Sequence, residues 1–249
     1  MPRPVHFICD RSTMEHYFRF ECVDGSEALQ ASYALRYEVY CLERGFLPAA
    51  DYPDASESDD CDDRSLHFGA FYKDGGLAGT ARLIQGALAE LPVARRCVID
   101  RSVLPPGSDS TPVLEISRLA VSRAFRRRAT DGVLPDQFRE RSPPAAPPPH
   151  RRRSCPELVL GLYKVMYQET KRRGVEWWFA AMEQTLVRLL QRCHFSFHAI
   201  GPEVDYYGPV AAYVARISDL ETEVYAHQPD LLREFADGLE RDLWPQQLK

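Results

Sequence analysis

Apolar and polar positions alternate first over "YFRFECV" (17–23), the period-two pattern of a half-buried strand. In "DGSEALQASYALRYEVYCLERG" (24–45) the period lengthens to that of a helix. Leu35, Val39 and Leu42 make one stripe, and Arg36 and Tyr40 share the neighbouring one at i, i+4. Asp24, with Glu27 three residues on, reads as a capping box, and Gly45 reads as the stop. "LHFGAFYKDGGLAGTARLIQ" (66–85) is two β-rich runs around "KDGG", the signature of a hairpin. "VLEISRLAV" (113–121) is a further strand. Strict alternation sets Glu115, Ser117 and Leu119 on one face and Ile116, Arg118 and Ala120 on the other. Glu115 and Arg118 in so apolar a strand need charged partners or the strand's open end, because an unpaired buried charge is costly.

The second half repeats the alternation of types. "SCPELVLGLYKVMYQETKRRG" (154–174) is a helix, with a Ser154–Glu157 capping box, a core face of Leu158, Leu162, Val165 and Met166, and Gly174 as its stop. "VEWWFAAM" (175–182), "FSFHAI" (195–200) and "VAAYVARI" (210–217) read as strands, with "EQTLVRLLQRC" (183–193) a helix after the first. "SDLETEVYAH" (218–227) opens a helical tail through a second box, Ser218 and Glu221. The order predicts an α/β fold, a mixed sheet of about seven strands flanked by helices.

Composition narrows the class. With 249 residues and 45% apolar content the chain can build one large domain or two small ones. No run approaches the length of a membrane-spanning helix, and "MPRPVHFICDRSTMEHYF" lacks a signal peptide's apolar core. Seven dispersed cysteines without a CxxC pair read as free thiols of a reducing compartment, so we expect a cytoplasmic protein. GxGxxG, P-loop, GxSxG and HExxH motifs are absent, and the seven histidines show no metal-ligand spacing. "RSPPAAPPPHRRRS" marks a Pro- and Arg-rich insert over about 129–154.

Charge is unevenly placed within a net −5. "ESDDCDDRSLHF" (57–68) concentrates four aspartates and a glutamate ahead of a strand, whereas 118–153 holds ten arginines. The acidic stretch has three readings: a solvated loop, a divalent-metal site, or half of a charge network met by arginines from elsewhere. The basic segment implies a local anionic partner. It lacks the interleaved aromatics of a nucleic-acid surface.

The order of elements resembles the GNAT acyltransferase fold, and "RLAVSRAFRRRA" is similar to its central strand–loop–helix motif, in which loop amides hold the donor's phosphates. The glycine-rich end of that loop is missing here. A nearer likeness is to N-acyl-homoserine-lactone synthases: an arginine and aromatics on the first helix and the turn after it, two aspartates three apart, an arginine on the third strand and E-x-S-R on the fourth. These fall on Arg36, Tyr40 and Phe46, on Asp59 and Asp62, on Arg82, and on Glu115 with Arg118. Through "LRYEVYCLERGFL", "LEISRLAVSRAFRRR", "LGLYKVMYQ", "IGPEVDYYGP" and the late "LWP", the chain most resembles the PEP-CTERM/exosortase system-associated acyltransferases from about residue 17 to 245.

The resemblance implies one GNAT-like domain over 1–249 that moves an acyl group from a thioester to an amine, in association with a bacterial sorting system. Asp59 and Asp62 would meet Arg36, Arg82 and Arg118 beside the cleft, which disfavours a metal. Tyr40 and Phe46 would line the acceptor side, and Glu115, with Arg118, would serve catalysis as general base. Leu119, Ala120 and Val121 would supply backbone to the donor, Arg126, Arg127 and Arg128 its phosphates' contacts, and Trp177 and Trp178 the acyl gap. No permanent cofactor is implied; acyl carrier protein is favoured over coenzyme A as donor, because the cradle for a free pyrophosphate is weakened. An N-acyl-homoserine-lactone or N-acyl amino acid synthase is the alternative activity, and a non-catalytic acyl- or carrier-binding module the alternative class.

Overall fold

A computed structural model describes residues 17–73, 75–109, 112–125 and 155–249. The expectations for Arg126, Arg127 and Arg128, for the insert and for the Ser154 cap lie outside the described residues. Eight strands form: β1 (Phe18–Val23), β2 (Ser65–Tyr72), β3 (Leu77–Gly86), β4 (Val113–Val121), β5 (Trp177–Met182), β6 (His198–Ala199), β7 (Val204–Asp205) and β8 (Pro209–Arg216). Hydrogen bonding runs β1-β2-β3-β4-β5-β8-β6, with β7 paired to β8. The mixed α/β sheet is the expected one, with two short strands, β6 and β7, in place of one longer run after residue 194. The helices are α1 (Ser26–Tyr37), α2 (Pro92–Arg96), α3 (Cys155–Arg172), α4 (Gln184–Arg192), α5 (Ile217–His227) and α6 (Pro229–Ala236). Among the described residues no helix is long and apolar enough to cross a membrane. The chain divides into two compact units.

One unit comprises residues 18–82 and the described parts of 118–163. β1 and β2 pair antiparallel, Phe18 opposite Tyr72 and Val23 opposite His67. Phe18 packs edge-on to Phe125, their ring centroids 5.6 Å apart. α1 does not start on Asp24: Gly25 is its N-cap, without a side-chain hydrogen bond, and the Leu29 N–H reaches the Gly25 carbonyl. Starting one residue later leaves Asp24 outside the capping position. Glu27 still opposes the positive helix end. The helix then widens into a π-helical turn, Glu38–Glu43, whose C-cap Arg44 N–H bonds the Val39 carbonyl five residues back at 3.0 Å. Gly45, at φ +62°, ends it as expected. Leu35 and Val39 pack on Ala120 of β4, with Tyr40 and Leu77 against them. The β2–β3 hairpin closes as predicted, the Tyr72 N–H on the Gly76 carbonyl at 2.8 Å.

The second unit holds residues 83–117 and 164–249 in its described part. β4 and β5 pair parallel, Glu115 opposite Phe179, and β5 and β8 antiparallel, Trp177 opposite Arg216. Trp178 is fully buried, donating Nε1–H to the Thr170 hydroxyl at 2.8 Å. Gly174, φ +64°, stops α3 as predicted. Gly201 sits where a Cβ would lie 1.8 Å from the Val98 carbonyl oxygen. The Ser218–Glu221 capping box does not form. Arg216 is the N-cap of α5, and Glu221 is buried and accepts from the Tyr167 hydroxyl and Lys171 Nζ, 2.8 and 2.7 Å away. A carboxylate with two donors inside the protein gains more than one reaching back to a single solvent-facing amide.

Candidate functional site

The acidic stretch folds back on the arginines. Arg36 leaves the last turn of α1, Arg82 leaves β3, and Arg118 leaves β4, all within one unit. Arg36 grips Asp62 with two parallel bonds, Nη1–Oδ1 at 2.7 Å and Nη2–Oδ2 at 3.0 Å, and sends Nε–H to Glu57 Oε2 at 2.5 Å. Arg82 donates Nη1–H to Asp59 Oδ1 at 2.6 Å and Asp62 Oδ1 at 2.7 Å. Arg118 bridges the far side, Nη2 to Asp59 Oδ2 at 2.8 Å and Nε to Glu57 Oε1 at 3.1 Å. Three guanidiniums and three carboxylates therefore close a ring of ion pairs. Glu57 is fully buried, Arg36 and Arg82 are 1% exposed, and Asp59 alone keeps a quarter of its side chain in solvent.

Burial by itself would raise the Asp59 and Asp62 carboxyls. Hydrogen bonds and charge from Arg82, for Asp59, and from Arg36, for Asp62, outweigh it and hold both below the ordinary carboxylate range. Burial would likewise lower Arg36 and Arg118, and the facing carboxylates raise both instead. His67 lies beside the ring, 5% exposed, its Nε2 3.3 Å from the Asp62 carbonyl; burial presses it below its ordinary value. Among the described residues no group of His, Cys, Asp and Glu has metal-holding geometry. The oxygens of this stretch that a cation would take are engaged by guanidiniums.

Arg118 has φ +51° inside its strand. A left-handed, non-glycine residue there breaks the regular pleat and ends the alternation expected along β4. Residues 113–116 are buried without a break, and Ser117, Arg118 and Leu119 are all partly exposed, instead of one face buried and one open. At this backbone break the Arg118 side chain joins the ring. The next residue, Leu119, presents its carbonyl to the Tyr40 hydroxyl, which donates to it at 3.0 Å. Ala120 and Val121 are buried, Ala120 under Leu35 and Val39. Tyr40 and Phe46 stand together with centroids 6.3 Å apart.

So Arg36, Asp59, Asp62, Arg82 and Arg118 come together, and Tyr40 and Phe46 join them through Arg118. Glu115 and the tryptophans belong to the other unit. There Glu115 is 2% exposed and its Oε2 accepts the Val93 N–H at 2.9 Å. Trp178 is committed to Thr170 and stacked on Phe197, and Trp177 is buried beneath the Arg216 guanidinium. Glu57 is the member that sequence reasoning missed. The signal existed: three arginines set against two aspartates leave one positive charge unmatched, and Glu57 opens the same stretch.

A sequence family described as an acetyltransferase (GNAT) domain matches residues 35–135, the segment that carries the whole ring. Over that segment the chain carries an acetyltransferase (GNAT) domain match, and its fold is GNAT-like. Its fold is similar to that of TofI, solved in a ternary complex with an inhibitor and MTA, at TM-score 0.54 and 16% identity over 91% of this chain and 98% of that one. BjaI, a CoA-dependent acyl-homoserine lactone synthase solved with SAM and isopentyl-CoA, aligns at TM-score 0.56 and 18% identity, covering 86% and 83%. FeeM, an N-acyl amino acid synthase from uncultured soil microbes, aligns at 0.54 and 12%, covering 85% and 97%. At these identities the likeness is one of fold. No curated protein matches its sequence.

Proposed function

We propose that this enzyme transfers an acyl group from a thioester, carried by acyl carrier protein in preference to coenzyme A, to the nitrogen of a small amine. The observation that carries the proposal is the buried ring of Arg36, Arg82 and Arg118 with Glu57, Asp59 and Asp62. Six charges sequestered from water cost heavily unless their geometry serves more than stability. The ring includes Arg118 at its left-handed backbone position and Arg36 just before the π-turn, two irregular backbones of the kind that gather at functional sites. The likeness to PEP-CTERM/exosortase system-associated acyltransferases supports a role in a bacterial sorting and exopolysaccharide system.

In the reaction the amine nitrogen attacks the thioester carbon, the C–N bond forms, and the C–S bond breaks. The amine's proton leaves through a base, and the departing sulfur takes up a proton as a thiol. Glu115 is our assignment for the base; the Val93 amide holds its carboxylate in one orientation. Backbone of Leu119–Val121 is assigned to the donor side. The test supplies decanoyl-carrier protein and decanoyl-coenzyme A with mixed amines and follows N-acyl products by mass spectrometry. N-acylation is expected. Glu115→Gln should lower kcat by about 10²–10⁴ and flatten the acid limb of the pH–rate profile. Thioester that is bound and never turned over by the unaltered protein would favour a carrier-binding module instead.

A further inference from the structure

Just past the Val93 amide that holds Glu115, the chain comes to the surface. Leu91 and Val93 are fully buried and Cys97 is buried, while Arg95 and Arg96 at the end of α2, and Arg101 beyond it, are exposed. Among the described residues none of these three arginines makes an ion pair. Between and beside them stand Val98, 58% exposed, and Val103, 52% exposed. The backbone beneath is fixed within its own unit. The Asp100 N–H reaches the Ile200 carbonyl at 2.7 Å, and the Val98 carbonyl lies against Gly201. The one acid of the stretch, Asp100, accepts from the Ser102 N–H and hydroxyl at 2.9 and 2.6 Å.

Positive charge without an internal partner, in a chain of net −5, is the complement of an acidic surface. Open valines among the arginines call for apolar side chains in the same partner. We infer that acyl carrier protein docks on Arg95–Val103, with acidic side chains against Arg95, Arg96 and Arg101 and apolar ones against Val98 and Val103; this rests on the acyl-transfer reading above and assigns a surface separate from the basic run after β4. Two observations favour a carrier over an anionic membrane. Val93 lies two residues before Arg95, so a partner docked here sits beside the support of Glu115, where a tethered thioester has to arrive. Asp100 stands exposed among the arginines. A flat anionic sheet would meet its charge head-on, whereas a helix can set its acids to either side. A segment already pinned to Ile200 and Gly201 loses little freedom on docking.

The experiment gives the full chain mixed amines with decanoyl-carrier protein or with decanoyl-pantetheine, the same thioester without the protein, and follows N-acyl products by mass spectrometry. The carrier should be the better donor at low salt, and its advantage should shrink as salt rises. Changing Arg95, Arg96 and Arg101 together to serine should raise the KM for decanoyl-carrier protein about 10- to 100-fold at low salt, with turnover of decanoyl-pantetheine and the melting temperature held. Val98→Ser with Val103→Ser should raise the same KM several-fold, and that loss should persist at high salt, because apolar contact is not screened. An arginine variant that keeps the KM for the carrier would overturn the inference. So would an equal loss with decanoyl-pantetheine, which would place the arginines on the donor's arm. Sedimentation with phosphatidylglycerol vesicles that the arginine variant loses, without change in the carrier KM, would make the surface a lipid contact and overturn it too. Absence of any N-acyl product with either donor defeats the acyl-transfer reading itself, a separate and recognisable outcome.

Discussion

Arg82 is 1% exposed and donates to two carboxylates, one of them 3% exposed. Alanine there would leave the ring's three carboxylates facing only two guanidiniums, Arg36 on Asp62 and Arg118 on Asp59. We expect a loss of about 3–5 kcal/mol in unfolding free energy, read from the denaturant midpoint at constant slope. A loss near that of an exposed pair, below about 1 kcal/mol, would contradict the burial of the ring. The same residues set the acid response. Asp59 and Asp62 titrate lower folded than unfolded, so their contribution is complete above about pH 3.9. It is lost as the pH falls from there through the folded values. His67 is also lowered, so the unfolded chain takes up its proton first and stability begins to fall near pH 6.5. A melting curve against pH should therefore drop in two stages, and His67→Asn should flatten the upper stage while leaving the lower. That Arg36 and Asp62 would meet came from the family resemblance; the positive φ at Arg118 was not legible, since arginine carries no preference for it.

At the scale of elements, periodicity located the principal strands and helices, and the stops at Gly45 and Gly174 carry the positive φ expected of them. Helix starts were misread for a physical reason. A capping box is a local exchange worth about 1 kcal/mol, and a buried partner outbids it, as Tyr167 and Lys171 do for Glu221. Close approach of backbones is equally silent in sequence. Gly201→Ala would drive a Cβ to within 1.8 Å of the Val98 carbonyl oxygen, which is main chain and cannot swing aside. We expect destabilisation of roughly 1–3 kcal/mol or more from overpacking, seen as a lowered melting temperature. At Gly174, φ +64° with nothing within 4 Å of an added Cβ, the same substitution should cost only the backbone strain, about 1–2 kcal/mol.

At the scale of the whole molecule, charge is the property that separates donors. Arg123, exposed just after β4, heads the basic run that continues in sequence through Arg126, Arg127 and Arg128. Carrier proteins are acidic, so turnover with acyl-carrier protein should fall steeply between low and physiological salt. Changing the two arginine triplets, 126–128 and 151–153, to serine should lower its kcat/KM at low salt. Equal efficiency with acyl-coenzyme A, or no loss in the altered chain, would remove the carrier protein from the proposal. Periodicity, turn chemistry and residue order determined the α/β class and the sequence of elements, because those depend on neighbours a few residues apart; which arginines would answer the acidic stretch came from the family resemblance. The tertiary structure decided Glu57's place as the third carboxylate, the positive φ at Arg118, the commitment of Trp178 to the core and the hold of Val93 on Glu115. Each of those depends on groups far apart in the chain competing for the same few buried bonds, and burial settles that competition.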